Sequence, residues 1–551
     1  MSRAGVVLGL VALAACSGER TESTDSGSKE SSGAGGSASA SGGEAGREGE
    51  GGDPGSTSGG SSNSAGGTNQ GGDAGEAGGG PAPECEEGDE RAGDTPCGLN
   101  DRGSLIEECS GEHWKESSRC EDPDECIDGE EKWGEVCDGG TALLTCLEGT
   151  WVTECVDAWR VTLGTPVNDV AKSFELDASG NSYVVGLTTG DLDGVNAGYD
   201  DAFLVKLDSE GQPVWKRQWG TTTPDAALDL ARSGDGSIFV IGNTDSELSS
   251  EATSGSTDAF LRKVSADGNE LWTKQWGTLS VEAGLGVFTH GDCVYGVGRT
   301  EGAFGSSSYG DSDAWARRAD PASGEVVWTV QWGSDGYDEA TRGTTDSDGD
   351  VVVVGHAEGA IGAATHVGAK DAFVRKLASD TGAELWSTQF GTTDDDAAVD
   401  VLADPDDDLI VIGTTEGALP DCESEGGADI FLVRLDGTTG EIELEVQWGT
   451  AFDDVPWAVT RDAAGNFYVA GYTSGDLRGE SAGLKDAFLT KLDPSGVVLW
   501  SEQWGTDEDE VACGLGLDAS QGVYVAGTTG GALSGANLGE NDLFLQHFPA
   551  R

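Results

Sequence analysis

The sequence predicts an all-β protein whose main part is a seven-bladed β-propeller of four-stranded blades. Three recurring elements predict it. Gln-Trp-Gly starts at Gln218, Gln275, Gln331, Gln447 and Gln503, with Gln389-Phe390-Gly391 as a variant and a weaker first copy near Trp159, spaced 56–58 residues apart. An Asp-Ala-Phe-like element opens at Asp201, Asp258, Asp313, Asp371, Asp429, Asp486 and Asp542. A Tyr-Val-Val-Gly-like run ends at Gly186, Gly242, Gly298, Gly355, Gly413, Gly471 and Gly527. A fixed period of this length sets the architecture before any single motif is read.

Each period holds four strand-like runs separated by turn signals. In the first they are "NDVAKSFEL" (A), "NSYVVGL" (B), "DAFLVKL" (C) and "QPVWKRQWG" (D). Four antiparallel strands repeated seven times around an axis make a closed propeller. Strand D places Trp215 and Trp219 on one side, because side chains alternate along a strand. Strand A supplies small residues, Ala171, Ala227, Gly284 and Ala340, which leave room for a neighbouring blade. The repeats open on a D-type strand and end on a C-type strand, "DLFLQHF". Residues 157–164 are therefore expected to pair with 542–548 and remove a free edge.

These ordered elements, present in all seven copies over roughly residues 156–551, resemble the bacterial SBBP β-propeller repeat family. Departures are Phe390 for Trp, Leu444 for Trp and Trp315 for Phe. The resemblance implies the propeller fold and an exported location, and no common reaction.

The segment before the repeats falls into three parts. "MSRAGVVLGLVALAAC" has a positive residue, a short apolar core and a Cys, the pattern of a signal peptide over 1–15. Leu13-Ala14-Ala15-Cys16 resembles the bacterial lipobox, which implies cleavage before Cys16 and its acylation. Several acyl chains would hold the protein on a membrane stably, and Ser17 after the Cys matches the enteric outer-membrane sorting signal. Residues 16–84, rich in Gly, Ser, Ala, Glu and Thr, cannot offset chain entropy by burial and read as a disordered tether. From 85 to 155 stand Cys85, Cys97, Cys109, Cys120, Cys126, Cys137, Cys146 and Cys155. An even, dense count after an export signal reads as a disulfide framework. The two sets of four end alike, "CSGEHWKESSRC" and "CLEGTWVTEC", so pairing within each set is expected. Zinc fits poorly, since His113 is the segment's one His and no Cys-x-x-Cys is present.

The formal charge of -69 and pI near 4.1 exclude nucleic acid, whose phosphates the field would repel. No apolar run is long enough for a membrane-spanning helix. "GESAG" at 479–483 satisfies the nucleophile-elbow pattern, but it lies in the B–C loop in register with "GVNAG" at 194–198 and lacks the strand-to-helix setting. Likewise "SGEVVW" and "TGAELW" look like fragments of quinoprotein repeats, at the wrong period. "DSDGD" at 346–350 mimics part of a calcium loop and holds the A–B hairpin position, where turn chemistry suffices. Cys293 and Cys513 sit in strand patterns and read as small buried side chains.

Two sets of residues remain as candidate sites. An acid stands five residues after each D-strand Gly: Asp169, Asp225, Glu282, Asp338, Asp396, Asp454 and Glu510. With the seven Asp-Ala-Phe carboxylates these should lie on one face of the disc, either accepting hydrogen bonds from their own loops or attracting calcium. Because strand B intervenes, the two rings should lie about 9–10 Å apart. The other set breaks the symmetry: Asp229, Arg342 and Asp400, where other blades have Ser173, Gly286, Ala458 and Gly514. They are candidates for the central channel, and Arg342 is expected to face Asp400 across the blade interface, since an unpaired charge there is costly. The functional expectation is a surface-displayed, monomeric lipoprotein. Its propeller acts as a non-catalytic scaffold for an envelope protein or glycan. The alternative is an extracellular enzyme acting on polysaccharide or peptide at one rim.

Overall fold

The structure is a computed structural model. It describes the backbone of six strands between residues 90 and 156, and residues 158–550 apart from 250–254, 306, 363 and 478–480. Cys16, the tether and the cysteine side chains of 85–155 lie outside the described residues. Among the described residues no helix is long and apolar enough to cross a membrane.

The six early strands make two three-stranded antiparallel meanders: β1 (Glu90–Cys97), β2 (Gly103–Ser110) and β3 (His113–Glu121), then β4 (Glu131–Cys137), β5 (Gly140–Leu147) and β6 (Thr150–Val156). The repeated Cys–Trp spacing gives the same backbone register in both, with Cys109 opposite Trp114 and Cys146 opposite Trp151. The chain separates into two units, one carrying β1–β3 and the other β4–β6 with the ring.

The ring has seven four-stranded antiparallel blades. The A strands are Asp169–Leu176, Asp225–Arg232, Glu282–His290, Asp338–Thr345, Asp396–Ala403, Asp454–Arg461 and Glu510–Leu517. Each neighbours the A strand of the next blade, so the A strands line the axis. B, C and D follow outward, as in Ser182–Thr188, Asp201–Leu207 and Pro213–Trp219 of the first blade. The seventh blade takes its D strand from β7 (Trp159–Leu163), whose Val161 lies opposite Leu545 and Trp159 opposite His547. The expected closure is observed.

Every A strand carries a β-bulge between its third and fifth residues, for example Ala171/Ser173 and Ala340/Arg342. The bulge presses the A backbone onto strand B, which explains the repeated glycine there. A Cβ on Gly355 would sit 1.9 Å from the Glu339 carbonyl oxygen, and one on Gly186 1.9 Å from that of Val170. The same Cβ position on Gly186 would also meet the ring of Phe203, its register partner on strand C, at 2.7 Å. The third C-strand residue is fully buried in every blade: Phe203, Phe260, Trp315, Phe373, Phe431, Phe488 and Phe544. Each such side chain stabilises the ring by roughly 1.5–3 kcal/mol.

The cores lie between blades. Tyr183, Val185, Ala202 and Leu204 of the first blade pack with Ala227, Leu230, Ile238 and Phe260 of the second, and Trp215 and Trp219 cover them. Six of the seven interfaces are clasped at the outer end: the C–D turn glycine of one blade lies on the D strand of the blade before, on its Trp in five of them. Gly268 meets Trp215, Gly324 meets Trp272, and Gly211 meets Trp159 of β7. These glycines adopt φ of 73–79°, a conformation that costs glycine little. At the Leu444 departure Gly496 rests on Leu444 and Val446 instead.

Candidate functional site

The axial residues form the site. A cavity of about 500 Å³ is lined by the later halves of the A strands, including Ser173, Asp229, Arg342, Asp400, Trp457 and Cys513. Bulges re-aim side chains, and the residue that follows each bulge is the position at which the blades differ: Asp229, Arg342 and Asp400 in three blades, Ser173, Gly286, Ala458 and Gly514 in the others. All three channel candidates line this cavity.

Their pairing differs from expectation. Arg342 makes no ion pair with Asp400 within 4 Å; its Nη2 lies 3.8 Å from Asp229 Oδ1, two blades away. Arg342 Nη1 also donates to the carbonyls of Leu285 (2.5 Å) and Thr341 (3.2 Å). The post-bulge position faces the axis, and an axis brings non-adjacent blades together. Asp229 accepts from Ser173 Oγ (2.6 Å) and from the Val287 amide (2.8 Å), so it joins three blades. Asp400 accepts from the Val401 and Val459 amides at 2.9 and 3.0 Å. Burial pushes the Asp400 carboxyl up to about 6 against the pull of Arg342. It also pushes the Cys513 thiol up to about 12, which makes that sulfur a poor nucleophile at neutral pH. Cys293 and Cys513 are free thiols, Cys513 buried and Cys293 partly so.

Sequence reasoning missed Glu175, which lines the same cavity. Burial, then the Asp229 charge, push its carboxyl up to about 7 against Arg232. A carboxylate with a raised folded value favours the native state below its unfolded value and opposes it as pH rises through the folded one. Glu175→Gln should therefore raise the melting temperature at pH 8 more than at pH 5. A gain that is equal at both values, measured by calorimetry, would contradict this. The signal in the sequence was a charged residue in the last third of strand A, beside hydrophobic neighbours.

The carboxylates of the opposite end are interior groups. Asp169, Asp225, Glu282, Asp338, Asp396, Asp454 and Glu510 are all at most 1% exposed. Each accepts from the amide and hydroxyl of the Thr or Ser four residues earlier, as Asp454 does from Thr450 at 2.5 and 2.9 Å. Six of the seven Asp-Ala-Phe carboxylates accept from the Gln of Gln-Trp-Gly, as Asp258 does from Gln275 at 2.7 Å and Asp429 from Gln447 at 2.8 Å. The same Gln447 ties down the B–C loop through the Gly417 carbonyl and the Leu419 amide. The two rings also meet across blades. A Cβ on Gly220 would lie 2.2 Å from Asp201 Oδ1 and 3.1 Å from Asp225 Oδ2. The 9–10 Å spacing describes strands within one blade, whereas neighbours from adjacent blades flank one glycine. Among the described residues no group of three His, Cys, Asp or Glu is placed to hold a metal ion. Several C-strand cations end on A–B turn acids at the other face, Lys376 on Asp346 at 2.6 Å and Lys491 on Asp462 at 3.4 Å. Ser481 donates its hydroxyl to the Gly483 carbonyl and its amide to Asp476, the bonding of a loop turn.

No family model matches the chain. It is similar to the regulatory protein FlaEY of Caulobacter vibrioides, 29% identical over 174 residues, which cover 28% of this chain and 18% of that protein. The chain thus spans less than a fifth of the curated relative. Among solved structures it is similar to the Neurospora crassa Pan2 WD40 domain (TM-score 0.41, 11% identity, 69% of this chain and 90% of that one). It is also similar to the quinohemoprotein alcohol dehydrogenase of Comamonas testosteroni (0.38, 12%, 72% and 76%) and the phage phi92 endosialidase (0.39, 11%, 74% and 71%). The seven blades rest on the strand pairing, not on these superpositions.

Proposed function

We propose that the chain is an exported, lipid-anchored scaffold of the cell envelope, related to the SBBP repeat proteins, that binds a ligand at the axial cavity without catalysis. The observation that carries this reading is the engagement of the unmatched charges. Asp229 and Arg342 pair with each other, and all three charges are held by neighbouring backbone, which fixes the cavity wall; the Ser173 hydroxyl meets a carboxylate, Asp229, that the Val287 amide and Arg342 already engage. Around them Trp457, 37% exposed, offers an aromatic surface. The cavity's size is in the range of small-molecule sites, about 300–1,000 Å³.

The test is capture of envelope and matrix components, with a glycan array in parallel, by the full chain and by Trp457→Ala. A component retained by the wild type and weakened about tenfold by the substitution, roughly 1.4 kcal/mol, supports the reading. Capture indifferent to Trp457, or turnover of a polysaccharide or peptide by the wild type, overturns it and favours an enzyme.

A further inference from the structure

We infer that the axial cavity takes an alkylammonium group: a lysine side chain of a partner peptide or a free diamine. This rests on the reading of the cavity as the ligand seat. Three carboxylates line it, Asp229, Asp400 and Glu175, against two guanidinium groups, Arg342 and Arg232. Arg342 is already committed, while the Arg232 guanidinium has a ring contact and a buried Nε without a hydrogen bond. Arg342 serves two carbonyls and Asp229, and Arg232 stacks on Tyr183 with its guanidinium carbon 4.9 Å from the ring centroid. Glu175 is left over: among the described residues its carboxylate makes no hydrogen bond and no ion pair within 4 Å. A carboxylate in a part-buried wall without a donor lacks the hydrogen bonds that stabilise its charge, and an incoming N–H donor of positive charge would supply them. Trp457 lines the same cavity, and an aromatic face attracts a cation rather than an anion. The surrounding field of a chain of net charge -69 raises the local concentration of cations and steers them inward. An anion would meet three carboxylates, and a neutral sugar would leave the excess charge of Glu175 unanswered.

The pH dependence follows from the charges around the two carboxyls. Asp400 feels the charges of Arg342 and Asp229, and Glu175 those of Asp229 and Arg232. Both carboxyls carry raised values, about 6 and about 7, so both ionise as pH rises toward 8 and both are largely protonated at pH 5. An ammonium binds the ionised forms, so its affinity must climb across that interval.

The experiment is titration calorimetry of the full chain with putrescine and with a trilysine peptide capped at both ends, at pH 8 and pH 5, with glutarate and N-acetylglucosamine as anionic and neutral probes. One of the amines should bind at pH 8, at least tenfold more weakly at pH 5, and at least fivefold more weakly to Glu175→Gln, which retains size and polarity. Binding of trilysine alone assigns the group to a peptide, and binding of putrescine alone to a free amine. Amine binding unchanged in Glu175→Gln would report only the acidic surface and overturn the inference, as would preferential binding of glutarate or N-acetylglucosamine. Capture that depends on Trp457 while neither amine binds would overturn this inference and leave the scaffold reading standing. Capture that ignores Trp457 would remove the scaffold reading itself.

Discussion

Deletion of residues 157–164 is expected to lower the melting temperature of the ring by about 5 °C or more, at several kcal/mol. The strand they contain supplies the whole D edge of the seventh blade. Its Trp159, Val161 and Leu163 pack on the interface that joins the first and last blades, against Phe174, Tyr524 and Leu545. Losing three partly buried apolar side chains costs several kcal/mol at roughly 1.5–3 each when fully buried. The deletion also exposes the unpaired edge of Asp542–Phe548, a template for association with other chains. Trp159 further packs on Tyr524 and His547 at ring-centroid distances of 5.8 and 5.7 Å. Adding back a peptide of residues 157–164 should recover part of the loss in a concentration-dependent way, since it binds only the native ring. An unchanged melt on deletion would show that the ring does not depend on this closure.

Gly355→Ala should be as damaging, although it adds a single methyl group. That methyl would meet the Glu339 carbonyl oxygen at 1.9 Å and the Ala340 Cα at 3.0 Å. Both are backbone atoms of the bulged A strand, so no rotamer change can relieve the overlap. The blade must give up its bulge or its A–B ladder, at a cost of about 3 kcal/mol or more. Gly234→Ala is the control: nothing lies within 4 Å of its Cβ position, and a change within about 0.5 kcal/mol is expected of such a surface site. Chemical denaturation of the two variants separates them. Equal midpoints would mean that strand B tolerates the Cβ and that the repeated glycine has another cause.

The blades and their closure were legible because they are written as a period. Gln-Trp-Gly, intact five times and varied twice, with seven Asp-Ala-Phe-like elements and seven strand-ending Gly residues, fixes where each strand begins, and the odd D-type strand at Trp159 can pair only with the odd C-type strand at the end. The links between motifs were less legible. Gln447 and Asp429 were each visible as repeated residues, yet their hydrogen bond depends on the register between strands C and D, which shifts at a bulge between Arg434 and Leu435. The Arg342 partner was misplaced for a related reason. A bulge moves a side chain from the interface to the axis, and around an axis the nearest opposite charge can belong to a blade two positions away. Glu175 carried no repeat signal at all, since its surroundings are set by what six other blades leave unfilled.

The glycine-on-tryptophan clasp bears on why the blades number seven. Gly211 meets Trp159 as Gly268 meets Trp215, so the closing strand makes with the first blade the same contact that an ordinary D strand makes with the blade after it. Blades joined head to tail by one repeated contact close into a ring only when the rotation per contact divides a full circle, about 51° for seven. Blade number is then a property of a single interface, copied around the disc, and not of how many repeats the gene happens to encode. An eighth copy gained by duplication would have to force every clasp toward about 45° or be left outside the ring.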